Sequence, residues 1–268
     1  MRIVDIGSGA PVVVIPGIQG RWEWMKPGID ALAARCRVIT FSLADEPSCD
    51  ASFDASTGFD CYVKQVREAM DQANVSEAAI CGVSYGGLVA AAFAARYPSR
   101  VRSLVLISAL PPSWTPDSRV RFYLRAPRLL TPLFMLASLR MYREIAAAHD
   151  GFWHGASEAI RHGSNVLAHM FSPVRMARRV PLLEQADVQR IPAVNVPTLI
   201  VTGEAGLDRV VPVKLTHEYR RLFPHARVAT LERTGHLGFI TRPQAMAGIV
   251  APFVIDTVGE AESRRRIG

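Results

Sequence analysis

Short runs of apolar residues alternate with segments of helical period along most of this chain. Pro11–Ile15 (PVVVI), Arg37–Ser42 (RVITFS), Ala78–Gly82 (AAICG) and Arg102–Ser108 (RSLVLIS) have the length and apolar character of buried strands. Between them the pattern predicts helices over Lys26–Arg35, Phe59–Asn74 and Leu88–Arg96. Tyr62, Val66, Ala69 and Met70 mark one face of the second, and Pro98 stops the third. Residues 44–57, rich in Asp, Ser and Pro, read as a loop. The rhythm resumes late in the chain with strands at Thr198–Thr202 and Arg227–Leu231, a helix over Lys214–Leu222, and a last helix over Pro243–Val258 that Pro252 should end or kink. Continuous apolar strands that alternate with helices imply a mostly parallel sheet covered on both faces, an α/β fold.

From Leu110 to Ala193 the strand pattern is missing. Prolines at 111, 112, 116, 127, 132, 173, 181 and 192 divide that stretch into short helices carrying Trp114, Phe122, Tyr123, Leu129, Leu130, Phe134, Met135, Leu136, Tyr142, Phe152, Trp153, Met170, Phe171 and Met176. The expected organisation is a core of residues 1–109 and 194–268, with residues 110–193 inserted as a helical cap or lid. Within the insertion, Arg121, Arg125 and Arg128 are spaced i, i+4, i+7 and share one face if residues 119–130 are helical. Such a face is either plain solvated surface or a basic lip that draws in acidic substrates or anionic lipid surfaces.

Composition narrows the class. The 268 residues are 49% hydrophobic and 21% charged, enough to bury a large core. The net charge is +7, but the arginines are spread along the chain in groups such as 119–128, 175–179 and 264–266, without zinc-finger or RNA-binding spacing. Nucleic-acid binding is therefore not expected. Cys36, Cys49, Cys61 and Cys81 form no CxxC pair. The start of the chain has no long apolar leader, and no uninterrupted apolar stretch is long enough to span a bilayer. The expectation is a cytoplasmic setting without stable membrane insertion.

The chemistry is carried by Gly82-Val83-Ser84-Tyr85-Gly86-Gly87, a G-x-S-x-G string that follows a strand and opens a helix. Such a turn holds the serine in a strained conformation at the sheet's carboxyl edge, and glycines two before and two after avoid clashes. Gly87 lets the helix approach the sheet. A serine hydroxyl needs a base. His149, His154, His162 and His169 lie in the insertion, and His217 and His225 on or beside a late helix, whereas His236 lies in Thr234-Gly235-His236-Leu237-Gly238-Phe239, just after the last strand. The base needs an orienting acid. In Gly203-Glu204-Ala205-Gly206-Leu207-Asp208-Arg209-Val210-Val211-Pro212, Asp208 is the first candidate and Glu204 the reserve.

With GVSYGG, GLDRVVP and TGHLGF in the order Ser, Asp, His, the chain resembles the α/β-hydrolase superfamily over nearly its whole length, in the branch of small cap-bearing, esterase-like serine hydrolases. The resemblance implies an oxyanion hole made by the backbone N–H groups of Ile18 and Tyr85. Where family members commonly have His-Gly after the first core strand, this chain has Pro16-Gly17. Its acid loop is two residues longer than usual, which keeps Glu204 in play. The usual leading hairpin is shortened, with Arg2–Ile6 as what remains.

The expected activity is hydrolysis of a carboxylic ester of a small apolar substrate through an acyl-enzyme, because the insertion is rich in Leu, Met and aromatics. Carbon–carbon hydrolysis of dienoate-type diketones, thioester or lactone hydrolysis, and a ligand-binding receptor on the same fold are the alternatives. No cofactor is required. Asp45, Asp50, Asp54 and Asp60 lack calcium-loop spacing, so no metal site is expected.

Overall fold

The computed structural model describes residues 1–50, 53–149, 172–191 and 194–267. His154, His162, His169, Phe152, Trp153, Met170 and Phe171 lie outside them.

Seven strands form one sheet: β1 (Ile3–Ile6), β2 (Pro11–Ile15), β3 (Arg37–Phe41), β4 (Ala78–Val83), β5 (Val101–Ile107), β6 (Thr198–Thr202) and β7 (Arg227–Thr230). The spatial order is β1-β3-β2-β4-β5-β6-β7. β1 runs antiparallel to β3, with Ile3 opposite Phe41. All other pairs are parallel. The short segment at the start of the chain is thus an antiparallel edge strand.

Residues of each strand divide between two cores by the period of two that a pleated strand imposes. Val13, Ile15, Ile39, Ile80, Leu104 and Ile200 pack with α2 (Asp60–Gln72) and α3 (Tyr85–Arg96). Val12, Val14, Val38, Cys81, Val105 and Val201 pack on the other face with α1 (Lys26–Ala33) and the C-terminal helix. This is why the strands read as continuous apolar runs: both faces are covered.

Between β5 and β6 the described residues hold helices and no strand: α4 (Ser118–Arg125), α5 (Thr131–Ser138), α6 (Tyr142–Ala148) and α7 (Pro173–Leu182). The arginine face is shorter than its spacing suggests. α4 ends at Arg125, where Ala126 has φ −148° and ψ 65°. Pro127 excludes a helical conformation for the residue before it, so Arg128 is not on the helix.

Two late helices also differ from expectation. Residues 214–222 split into α8 (Val213–Thr216) and α9 (Tyr219–Leu222). The hydroxyls of Thr216 and Tyr219 donate to the carbonyls of Ala109 and Leu110, at 3.0 and 2.7 Å. These anchors are three residues apart, and N–H bonds from Arg220 to His217 and from Arg221 to Glu218 tighten that stretch to 3₁₀ winding. After α10 (Gly238–Thr241), α11 (Pro243–Ile267) continues through Pro252. Pro252 and Gly248, whose carbonyl the proline leaves without an N–H, are both exposed, so water meets the loss. Buried Met246, Ala247, Val250 and Val254 hold the inner side.

Candidate active site

Four turns at the carboxyl ends of parallel strands converge on one edge of the sheet, where open α/β sheets carry their sites. Ser84 follows β4 and caps α3 with φ 55° and ψ −116°. A non-glycine residue in that conformation is strained and persists because its surroundings fix it. Its N–H donates to Ile107 and its carbonyl accepts from Leu110 N–H, at 2.9 and 3.1 Å. The glycines are required by approach: a Cβ on Gly82 would lie 2.2 Å from the Gly86 carbonyl oxygen, and one on Gly86 2.4 Å from that of Ile15. A Cβ on Gly87 would lie 2.2 Å from Ala109 Cβ, so the helix sits directly against the residue after β5.

The turn after β2 lies beside the serine, since a Cβ on Gly17 would be 3.5 Å from Ser84 Cβ. Ile18 is in that turn, closed by a 2.9 Å bond from Gly20 N–H to the Gly17 carbonyl. Tyr85 begins α3 and is fully buried. Its phenol packs against Tyr62 and Phe59, and burial first, then the neighbouring Tyr62, pushes its pKa well above the ordinary value.

His236 Nδ1 lies 3.3 Å from Asp208 Oδ2. It is the one histidine–carboxylate pair among the described residues. The other oxygen of Asp208 accepts N–H bonds from Val210 and Val211, each 2.9 Å, which fixes the carboxylate plane. Glu204 is occupied differently: its side chain accepts the Arg233 N–H at 2.7 Å. Its backbone N–H donates to Thr234, joining the acid loop to the histidine loop. Glycine makes that junction possible, because a Cβ on Gly203 would be 2.3 Å from the Gly235 carbonyl oxygen. The structure thus joins Asp208 to His236, and sets the Ile18 turn against Ser84. Among the described residues no hydrogen bond links the Ser84 hydroxyl to the imidazole.

Two residues at this edge have no counterpart in the sequence reading. Glu144 of α6 is buried, and one carboxylate oxygen accepts from Gly235 N–H at 2.8 Å, from the Thr234 hydroxyl at 3.1 Å, and from Leu237 N–H. The two N–H groups flank His236. Burial raises the Glu144 pKa, against the N–H bonds of Leu237 and Gly235 and the charge of His236, which lower it. Its only signal in the sequence is isolation, as the sole acidic residue in 118–149.

Arg179 of α7 is the other. It belongs to the basic group 175–179, yet it is fully buried. Its guanidinium donates to Asp45 at 3.0 and 2.7 Å, to Glu46 at 2.6 Å and to the Ile18 carbonyl at 2.6 Å. Burial works against the charge, but Asp45 and Glu46 more than offset it and hold the pKa above the ordinary guanidinium value. Asp45 therefore belongs to an ion-pair network. Asp60 pairs with Arg96, and Asp54 accepts from Ser56. Among the described residues no group of three or more His, Cys, Asp or Glu is placed to hold a metal.

A helix-capping serine at such an elbow after β4, with a histidine–carboxylate pair from the turns after β6 and β7 on the same edge, matches a known family. The chain belongs to the α/β-hydrolase family. The family's model, described as the alpha/beta hydrolase fold, matches residues 10–243. Among curated relatives, a pimeloyl-[acyl-carrier protein] methyl ester esterase of Neisseria meningitidis serogroup A is 26% identical over 222 residues, covering 81% of this chain and 67% of that one. A 2-hydroxy-6-oxo-2,4-heptadienoate hydrolase of Pseudomonas putida is 27% identical over 270 residues, covering 93% and 91%. Among solved structures, an esterase from Exiguobacterium antarcticum superposes with a TM-score of 0.75 at 21% identity, covering 94% of each chain. An enol-lactonase from Burkholderia xenovorans does so at 0.73 and 18% identity, covering 94% and 95%. This α/β-hydrolase is a hydrolytic enzyme, and no helix among its described residues is long and apolar enough to cross a membrane.

Glu144 gives a first expectation. Glu144→Ala should lower kcat roughly 10- to 100-fold with little change in KM, because a turn shifted by about an ångström misplaces the imidazole. Glu144→Gln keeps an oxygen for the same three donors and should retain most of the rate. Equal activity in both variants and wild type, measured with a simple ester, would remove Glu144 from the site.

Proposed function

We propose that this chain is a serine hydrolase that cleaves a carboxylic ester of a small apolar substrate through an acyl-enzyme. Ser84 is the nucleophile, His236 the general base and Asp208 the orienting acid. The observation that carries this reading is the Asp208–His236 pair on the same sheet edge as the strained Ser84 elbow. Residues 110–193 serve as its cap.

His236 accepts the Ser84 proton while Ser84 Oγ bonds to the substrate carbonyl carbon. The backbone N–H groups of Ile18 and Tyr85 receive the developing oxyanion, a contribution of about 3 kcal/mol for each well-placed donor. His236 then passes the proton to the leaving alcohol as the carbon–oxygen bond breaks. Water enters through the same sequence and releases the acid. Asp208 holds the imidazole tautomer and stabilises its charged form.

A panel of p-nitrophenyl esters of increasing acyl length tests this, with Ser84→Ala as control. A burst of nitrophenol followed by steady turnover is expected. Activity should survive a chelator, because no step of this mechanism uses a metal. Binding of esters without any turnover would assign the site to a receptor. A second reading, carbon–carbon bond hydrolysis, is favoured by the heptadienoate hydrolase, which matches over 91% of its own length. Faster turnover of a dienoate-type diketone than of every ester would select it.

A further inference from the structure

Between Asp117 and Glu144 the chain has six arginines, at 119, 121, 125, 128, 140 and 143, and no Asp, Glu or Lys. All six are exposed, and none pairs with a described carboxylate. The surface of this stretch is therefore wholly cationic.

The same stretch exposes its large apolar residues. α5 has no buried residue at all. A surface helix ordinarily turns its apolar stripe inward and its charges to water. In α5 the outward positions are Leu133, Met135 and Leu136, with Leu136 62% exposed, while the less exposed positions include Ala137 and Ser138. Leu129 just before the helix is 80% exposed, and Leu139 just after it 66%. Arg128 and Arg140 bracket this row. α4 repeats the arrangement, with exposed Phe122 between Arg119 on one side and Arg121 and Arg125 on the other. Tyr123 meets Phe134 edge-on at 5.6 Å and ties the two helices together.

We propose that α4 and α5 form a docking face for an anionic lipid surface. The leucines, Met135 and Phe122 enter the headgroup boundary, and the arginines pair with lipid phosphates. Charge complementarity selects an anionic partner. Shape selects lipid over protein: these apolar side chains project from short helices, which a soft bilayer interface accepts, whereas a protein would need a matching hollow. α5 is too short to span, so the helices lie on the surface. The face is also coupled to the candidate site, since α5 leads within a few residues to α6, whose Glu144 holds the turn of His236. Resting on the proposed ester hydrolysis, this makes the substrate class a lipid-borne ester delivered from that surface.

Flotation with vesicles tests the face without requiring turnover. The full chain should float with equimolar phosphatidylcholine and phosphatidylglycerol at low salt, and remain behind with phosphatidylcholine alone. Salt at about 1 M, where the Debye length is near 3 Å, should release it. Arg121→Gln with Arg125→Gln should weaken partitioning roughly 30-fold, at about fivefold per arginine. Leu136→Ser with Leu139→Ser should weaken it about 10-fold or more. Both double variants should hydrolyse a soluble p-nitrophenyl ester as wild type does. No flotation with anionic vesicles, equal binding to neutral ones, or indifference to both double variants would overturn the proposal. So would a dimer in sedimentation equilibrium that Leu136→Ser with Leu139→Ser dissolves, or capture of an acidic protein domain, if vesicle binding is absent. Flotation of a chain that hydrolyses no ester would leave the lipid face standing and reject only the ester reading.

Discussion

Ser84→Ala and His236→Ala are each expected to lower kcat about 10⁴- to 10⁶-fold while the thermal transition stays near wild type. The two residues act as a unit in the proposed mechanism. Without the hydroxyl no acyl-enzyme forms, and without the imidazole the hydroxyl is not activated, so the double variant should be little worse than either single one. In that mechanism the rate that remains over water would come from the Ile18 and Tyr85 amides and from binding. Asp208→Asn should lose about four orders of magnitude, because the amide no longer fixes the tautomer that leaves Nε2 free to accept. Glu204→Gln should cost far less, since Glu204 accepts a backbone N–H at Arg233. Steady-state kinetics on one activated ester decides between them. Near-normal turnover in Ser84→Ala would refute the nucleophile, and a larger loss in Glu204→Gln than in Asp208→Asn would move the acid.

Arg179→Met is expected to lower stability by about 3–5 kcal/mol, because it strands buried carboxylates that the guanidinium now balances. Glu46 has no exposed side-chain surface, and its second oxygen is met by Arg175 at 2.9 Å. The substitution leaves it with that one half-buried partner, and Asp45 loses two bonds from the same guanidinium. For a chain of this size the loss corresponds to a fall in Tm of roughly 10 °C. Glu46→Gln and Asp45→Asn, added to Arg179→Met, should recover part of it, as the penalty is the unpaired charge rather than the missing arginine. Arg179→Lys should fall between, since an ammonium cannot reproduce the planar fork that reaches Asp45, Glu46 and the Ile18 carbonyl together. The rate should fall with stability, because the turn that carries Ile18 loses its anchor. Calorimetry and ester hydrolysis on the same preparations test both, and an unchanged Tm in Arg179→Met would refute the burial argument.

The elements legible in the sequence are those whose cause is local. Pro11–Ile15 and Thr198–Thr202 have the same bounds in the structure as in the apolar pattern, because strands covered on both faces leave an unbroken apolar run. The serine turn is legible for a similar reason. Gly82, Gly86 and Gly87 are each demanded by a backbone or Cβ approach that any side chain would block, so the need is written in residue type. The Asp208–His236 pair was within reach through loop position after strands, although 28 residues separate the two in the chain.

The tertiary structure decided the rest. Pro252 reads as the end or a kink of the last helix, and the helix does not end there: the proline sits on the solvent side of a helix whose other side is held by the sheet, so packing outweighs the lost bond. Glu144 and Arg179 carry no local mark of their roles. One is a single acid among arginines, and the other is one basic residue in a basic run. Their partners are 90 or more residues away in sequence: Thr234, Gly235 and Leu237 for Glu144, and Ile18, Asp45 and Glu46 for Arg179. Period and spacing report which face of an element is buried. They do not report which buried charge meets which distant backbone group, because that depends on how the helices after β5 fold back onto the sheet edge.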